Sequence, residues 1–117
     1  MALTLAACSV ESKELKRLPS PDGSAIAILS SDTGGGAAGS SAINLYVVED
    51  RDAGRPREPK FTASHCEELA IAWVDQRTLR LTYKPGCVIR KFENFWYSSS
   101  AIKNAQHAEV EIVLYRE

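Results

Sequence analysis

The clearest hydrophobic pattern in the chain runs from Glu68 to Tyr83. Leu69 to Val74 form an unbroken apolar run, which Asp75, Gln76, Arg77 and Thr78 interrupt. Leu79, Leu81 and Tyr83 then alternate with Arg80, Thr82 and Lys84. A short apolar run, a polar break and a period-2 run predict a β-hairpin. The first strand is apolar on both faces, which predicts a central strand covered twice, with Trp73 in the core. The second is apolar on one face and should show the other to water.

The same reading extends in both directions. Ser20-Pro21-Asp22-Gly23 predicts a turn, because Pro presets φ at the second position and Gly accepts φ > 0. A strand should follow over Ser24 to Ser31, with Ala25, Ala27 and Leu29 on one face and Ile26 and Ile28 on the other. Asp32 to Ser41 reads as a glycine-rich hairpin loop leading into a strand at Ala42 to Val48. Glu49 to Lys60, with Gly54, Pro56, Pro59 and charges that largely cancel, reads as a solvated loop. Phe61 to Ser64 and Val88 to Phe92 read as short strands. Ala108 to Tyr115 reads as a half-exposed closing strand, and Ala101 to His107 has weak helical character. Phe95, Trp96 and Tyr97 form an aromatic cluster. Alternation places Phe95 and Tyr97 on one face and Trp96 on the other. Phe95 is assigned to the core, and Trp96 is left open between core and surface. Short strands separated by Gly/Pro turns predict an all-β domain, mainly antiparallel, of about six or seven strands in a sandwich or twisted sheet.

Composition narrows the class. The chain has 117 residues, 44% hydrophobic and 25% charged, which suits one globular domain. Its 14 basic and 15 acidic residues give a formal net charge of -1, without the basic footprint of a nucleic-acid binder. No apolar run approaches the ~20 residues needed to span a bilayer.

Two stretches invite a chemical reading. Gly34, Gly35, Gly36 and Gly39 suggest a phosphate cradle, but they lack the lysine and the following helix that such loops need. The cluster reads better as a hairpin loop that can serve as a contact surface. His65-Cys66-Glu67-Glu68 looks catalytic or metal-like. Neighbours in a strand point to opposite faces, however, and the spacing is not that of a zinc site. A surface histidine and a bridged cysteine are the better reading, so no catalytic residue, metal or cofactor is assigned.

The bridge follows from the hairpin. With a turn at Gln76 and Arg77, Cys66 falls directly opposite Cys87. A three-residue loop or a bulge shifts the register by one and sets Leu69, Ile71 and Trp73 against Tyr83, Leu81 and Leu79, which packs better. Either register leaves the two thiols near each other at the open end, where Pro85-Gly86 bends the chain.

Leu5-Ala6-Ala7-Cys8 resembles the lipobox of bacterial lipoproteins, in which a signal peptidase cuts before the cysteine and the thiol carries diacylglycerol. A complete signal has a basic n-region and an apolar stretch of ~7–15 residues. Only seven residues precede Cys8, none of them Lys or Arg. The competing reading is a cytosolic N-terminus that happens to contain this tetrapeptide. The resemblance implies that residues 1–8 end a signal peptide, that 9–19 are a polar tether, and that 20–117 form a single β domain. A short amphipathic helix is the alternative for the tether, since Leu15 and Leu18 are three apart. With Cys8 acylated, Cys66 and Cys87 are the two thiols left in an oxidising compartment.

Ser20-Pro21-Asp22-Gly23 with its strand, and Trp73-Val74-Asp75 with Thr78-Leu79, are similar to β-propeller blades. A propeller needs about four blades or more, and this chain has room for little more than one. The same spacing resembles small bacterial lipoproteins of an uncharacterised family, which implies no activity. The expectation is a non-enzymatic lipoprotein, lipid-anchored on the periplasmic side of the cell envelope. It would act as a binding module for a protein partner or an envelope component, touching the membrane through its anchor only. Gly34, Gly35, Gly36, Trp96 and Tyr97 are the candidate contacts. The alternative is an inhibitor or immunity protein that blocks a toxin or a lysozyme-like enzyme. Phe95-Trp96 is similar to the late Phe-Trp pair of periplasmic lysozyme inhibitors, although their Ser-Gly-containing inhibitory loop is not recognisable. A hydrolase built on Ser, His and Glu has only loose residues behind it.

Overall fold

Strands that alternate in polarity have one face to bury, and here they bury it by stacking two sheets. The computed structural model describes residues 10–34, 41–54, 56, 58–66, 68–97 and 109–117. Among these, the strands in chain order are β1 (Val10–Pro19), β2 (Ile26–Gly34), β3 (Ser41–Val48), β4 (Phe61–Ser64), β5 (Leu69–Asp75), β6 (Thr78–Tyr83), β7 (Val88–Phe92), β8 (Phe95–Tyr97) and β9 (Glu109–Arg116). One sheet has the order β1-β2-β3-β4-β7 and the other β5-β6-β9-β8. All pairs are antiparallel except β6 with β9. The fold is therefore the expected all-β, mainly antiparallel sandwich, with β1 and β8 added to the expected strands.

Alternation sets what lies between the sheets. Ala27 and Leu29 of β2, Leu45 and Val47 of β3 and Phe61 of β4 face Ile71, Leu79, Leu81, Trp96, Val110 and Ile112 of the second sheet. The strands covered on both faces are β2 and β3. Their outward residues Ile26 and Ile28, with Tyr46 and Val48, pack under Ala53, which is only 6% exposed. Ala53 follows a short 3-10 turn at Asp50–Asp52. Ala53, within the stretch expected as a solvated loop, thus lies on the outer face of the five-stranded sheet. Arg17 helps hold it there: it forks onto Glu14 with contacts of 2.9 and 2.7 Å and donates to the Ala53 carbonyl at 3.4 Å.

Two further expectations are corrected. Residues 10–19, expected as a tether, form β1 along the edge of the five-stranded sheet, with a register break between Glu14 and Lys16. Polar residues on both faces suit an edge strand, which read in isolation looks like a linker. The apolar run at Leu69–Val74 is not a central strand either. It is the edge strand β5, with Leu69, Ile71 and Trp73 turned inward and Ala70 and Val74 exposed. Alanine has so little apolar area that an unbroken run needs burial on one face only. Trp73 is half-buried, and its Nε1 donates to the Leu18 carbonyl at 2.9 Å, tying the two sheet edges together.

The hairpin takes the better-packed register. Leu69, Ile71 and Trp73 face Tyr83, Leu81 and Leu79, with a bulge between Trp73 and Asp75. At its open end both connections pass from one sheet to the other, β4 into β5 and β6 into β7. Backbone turns at His65 (φ 56°) and Gly86 (φ 103°) redirect them. Glycine suits the second position because a Cβ is strained at that φ. Cys66 and Cys87 are joined by a disulfide across the paired crossovers, with Cα atoms 4.2 Å apart. The Ser20-Pro21-Asp22-Gly23 turn closes β1 onto β2. Gly23 N–H donates to Ser20 O at 2.9 Å, and the Asp22 carboxylate accepts from Ser24 N–H and Oγ and from Ser20 Oγ. Those donors, the Ser24 hydroxyl first, hold the Asp22 carboxyl below its ordinary pKa.

Candidate functional site

The sandwich has two outward faces of different character. On the five-stranded sheet, beyond the part packed under Ala53, a ladder of side chains crosses four strands. Ser12 Oγ donates to Asp32 Oδ1 at 2.7 Å, Asn44 Nδ2 donates to Asp32 Oδ2 at 2.7 Å, and Thr62 Oγ1 donates to Asn44 Oδ1 at 2.8 Å. Asn44 is only 5% exposed. Burial, and then the charge of Asp32, push the nearby Tyr46 phenol above its usual pKa. Both oxygens of the one carboxylate in this ladder are engaged within it.

The outward face of the four-stranded sheet is built from the alternate residues of the strands that form the core. Pairing sets them in rows. Ala70, Thr82 and Tyr115 form one, Ala72, Arg80 and Val113 a second, and Thr78, Glu111 and Phe95 a third, with Glu109 beside Tyr97 beyond them. Small residues make the β5 side of this face low, and aromatic rings rise from β8 and β9. Tyr97 is 60% and Tyr115 54% exposed. The Arg80 guanidinium sits over the Tyr115 ring, 5.7 Å from its centroid, an arrangement that holds a cation on a π face. Phe95 and Tyr97 meet edge-to-face at 4.9 Å. The face therefore offers aromatic surface, the guanidinium of Arg80 and the carboxylates of Glu109 and Glu111.

The expected contact residues fall in different places. Tyr97 lies on this open face. Trp96 points the other way and is 9% exposed, in the core. Phe95, expected in the core, is half-buried on the outer side. Opposite β8, Val110 is the inward residue of β9, so its partner Trp96 turns inward and Phe95 cannot. Gly34 ends β2, whereas Gly35, Gly36 and Cys8, the residue expected to carry a lipid, lie outside the described residues. His65 is exposed at the crossover and its neighbour Cys66 is bridged. Among the described residues, no three His, Cys, Asp or Glu side chains stand together as a metal set. Tyr115 and Arg80, which the sequence reading does not single out, share the open face with Tyr97. The signal for both was the outward parity of the two strands that carry them.

A groove of about 400 Å³ opens between the sheets near the disulfide. Leu29, Ile43 and Leu69 line its floor, and Lys16, Lys84, Glu68 and Glu117 its rim. Lys84 pairs with Glu68 at 2.7 Å and holds the Glu68 carboxyl below its ordinary pKa. No protein-family model, curated protein or solved structure matches the chain.

Proposed function

We propose that the protein is a non-enzymatic binding module of the bacterial cell envelope. It meets a protein partner or an envelope component through the outer face of the β5-β6-β9-β8 sheet. The observation that carries this reading is that Tyr97 and Tyr115 stand more than half exposed on one sheet face, with Arg80 over the Tyr115 ring. Tyrosine and arginine are enriched in interface centres, because they give large contact area at low entropic cost. The envelope location draws support from the lipobox-like Leu5-Ala6-Ala7-Cys8, and the Cys66–Cys87 disulfide suits an oxidising compartment.

Capture from envelope extract tests the reading. Immobilised protein should retain a discrete partner, and Tyr97→Ala together with Tyr115→Ala should abolish its retention while the melting temperature hardly moves. Retention that survives both changes would refute the assignment of this face. Retention of a lysozyme-like enzyme or a toxin, with loss of that enzyme's activity, would turn the reading to an inhibitor or immunity protein.

A further inference from the structure

The edge strands β1 and β5 belong to different sheets and are tied where Trp73 Nε1 donates to the Leu18 carbonyl at 2.9 Å. Nearer the start of both strands they part, and the groove of about 400 Å³ opens between them. That volume lies in the range of small-molecule sites. Its apolar lining is aliphatic: Leu15 from the register break of β1, Leu29 from β2, Ile43 from β3 and Leu69 from β5. Leu15 is 47% exposed, so this apolar surface is reached from solvent. Among the described residues that line the groove there is no aromatic ring, hydroxyl or amide side chain.

Charge is confined to the mouth, where Lys16, Lys84, Glu68 and Glu117 are all exposed. Lys84 and Glu68 neutralise each other at 2.7 Å. The other two rise from opposite sheets, Lys16 from β1 and Glu117 just past the end of β9. Lys16 pairs across from the inward residue Leu29. A lysine so placed lays its methylene stem along apolar lining and keeps its ammonium in water.

We propose that this groove binds a medium-chain fatty acid, its methylene chain along Leu29, Ile43 and Leu69 and its carboxylate at the Lys16 ammonium. A methylene chain needs no hydrogen-bond partner, so an aliphatic slot suits it. A sugar or a nucleotide would leave polar groups unpaired in the same place. The carboxylate stays at the solvent boundary, where it meets the ammonium without the desolvation penalty of a buried pair. The groove shares only Ala70 with the open face of the β5-β6-β9-β8 sheet, and it does not depend on what that face meets.

Isothermal titration calorimetry of the full chain tests the site, with the Cys66–Cys87 bridge oxidised and Cys8→Ser so that no acyl group of its own competes. The probes are octanoate and decanoate, below micelle-forming concentrations, and decanol. Decanoate should bind saturably and up to about tenfold tighter than octanoate, as two further buried methylenes allow. Leu15→Glu sets a carboxylate against the chain and should weaken decanoate and decanol alike. Lys16→Glu reverses the charge at the head and should weaken decanoate several-fold while decanol binds as before. Melting curves show that both variants are folded. Tyr97→Ala with Tyr115→Ala should bind decanoate like the parent. Any of four outcomes would overturn the inference: no saturable binding of decanoate, binding that survives Leu15→Glu, equal effects of Lys16→Glu on acid and alcohol, or loss of binding in the tyrosine variant.

Discussion

The two outer faces of this sandwich solve the same problem in opposite ways. Each belongs to a sheet whose inner face is fully used by the core. On the five-stranded sheet the protein covers its own surface: Ala53 lies over Ile26 and Ile28, and the polar ladder through Asp32 and Asn44 ties four strands together by side-chain hydrogen bonds. On the four-stranded sheet, small residues and exposed aromatics remain in contact with solvent. The difference separates a surface that holds the fold together from one left available to another molecule. Substitutions on the first should therefore cost stability, and substitutions on the second should cost binding.

The comparison breaks first at Ile28. It is 2% exposed although it lies on an outer face. Ile28→Ala should destabilise by about 2–5 kcal/mol, as buried large-to-small changes do. A chemical denaturation midpoint near that of the parent would show that the Ala53 segment covers nothing of consequence.

Reducing the Cys66–Cys87 bond ranks next. The two residues are 21 apart, and on the chain-entropy view a loop of that size contributes about 3 kcal/mol. Reductant should lower the melting temperature, and Cys66→Ser with Cys87→Ser should reproduce the shift without it. Equal melting curves with and without reductant would contradict the stapling role of the bridge.

Asn44→Ala should cost about 1–3 kcal/mol, because it leaves Asp32 Oδ2 and the Thr62 hydroxyl without the partner they share in the ladder. Tyr115→Ala, on the open face, should change stability by less than about 0.5 kcal/mol. Urea titrations of the two variants side by side measure the contrast directly. Equal shifts would erase the distinction between the faces.

The smallest expected effect is on acid stability. Partners hold the carboxyls of Glu14, Asp22, Glu68, Asp75 and Glu93 below their ordinary pKa values. Depressed folded-state values stabilise the protein fully above the unfolded carboxylate range, about pH 4. That contribution is lost as pH falls through the lower folded-state values. These groups are exposed and screened, so the loss should be shallow and should shrink further in high salt. A melting temperature flat to the acid limit would show that none of the pairs counts.

The inner half of the structure was legible in the sequence, because period-2 alternation reports which residues leave water. It identified the inward set of β2 and the β5–β6 hairpin, left the bulged register as one of two, and brought Cys66 near Cys87 from either of them. What escaped is what alternation does not encode. β1 is an edge strand guarded by charge, and a run such as Ser12-Lys13-Glu14 has the composition of a tether. The Ala53 segment covers two isoleucines with one methyl group, too weak a signal to separate it from a solvated loop. Leu69 to Val74 looked doubly buried because Ala70 and Ala72 count as apolar while needing no cover. At Phe95 and Trp96 the parity was right and the side was wrong, since only the pairing of Trp96 with Val110 decides which ring turns inward. The open face was half visible for the same reason. Tyr97 stood out as part of an aromatic cluster, but Tyr115 shares its face only through the pairing of β8 with β9, and Arg80 only through the parallel pairing of β6 with β9.

Site-specific photocrosslinking in the living cell tests the contact face most directly. A photoreactive phenylalanine analogue replaces Tyr97 or Tyr115 on the open face, and Glu14 or Asp52 on the covered side. Discrete adducts of one mobility should form from both tyrosine positions and from neither of the other two. Adducts from Glu14 or Asp52, with none from Tyr97 and Tyr115, would contradict the assignment and move the binding surface to the five-stranded sheet.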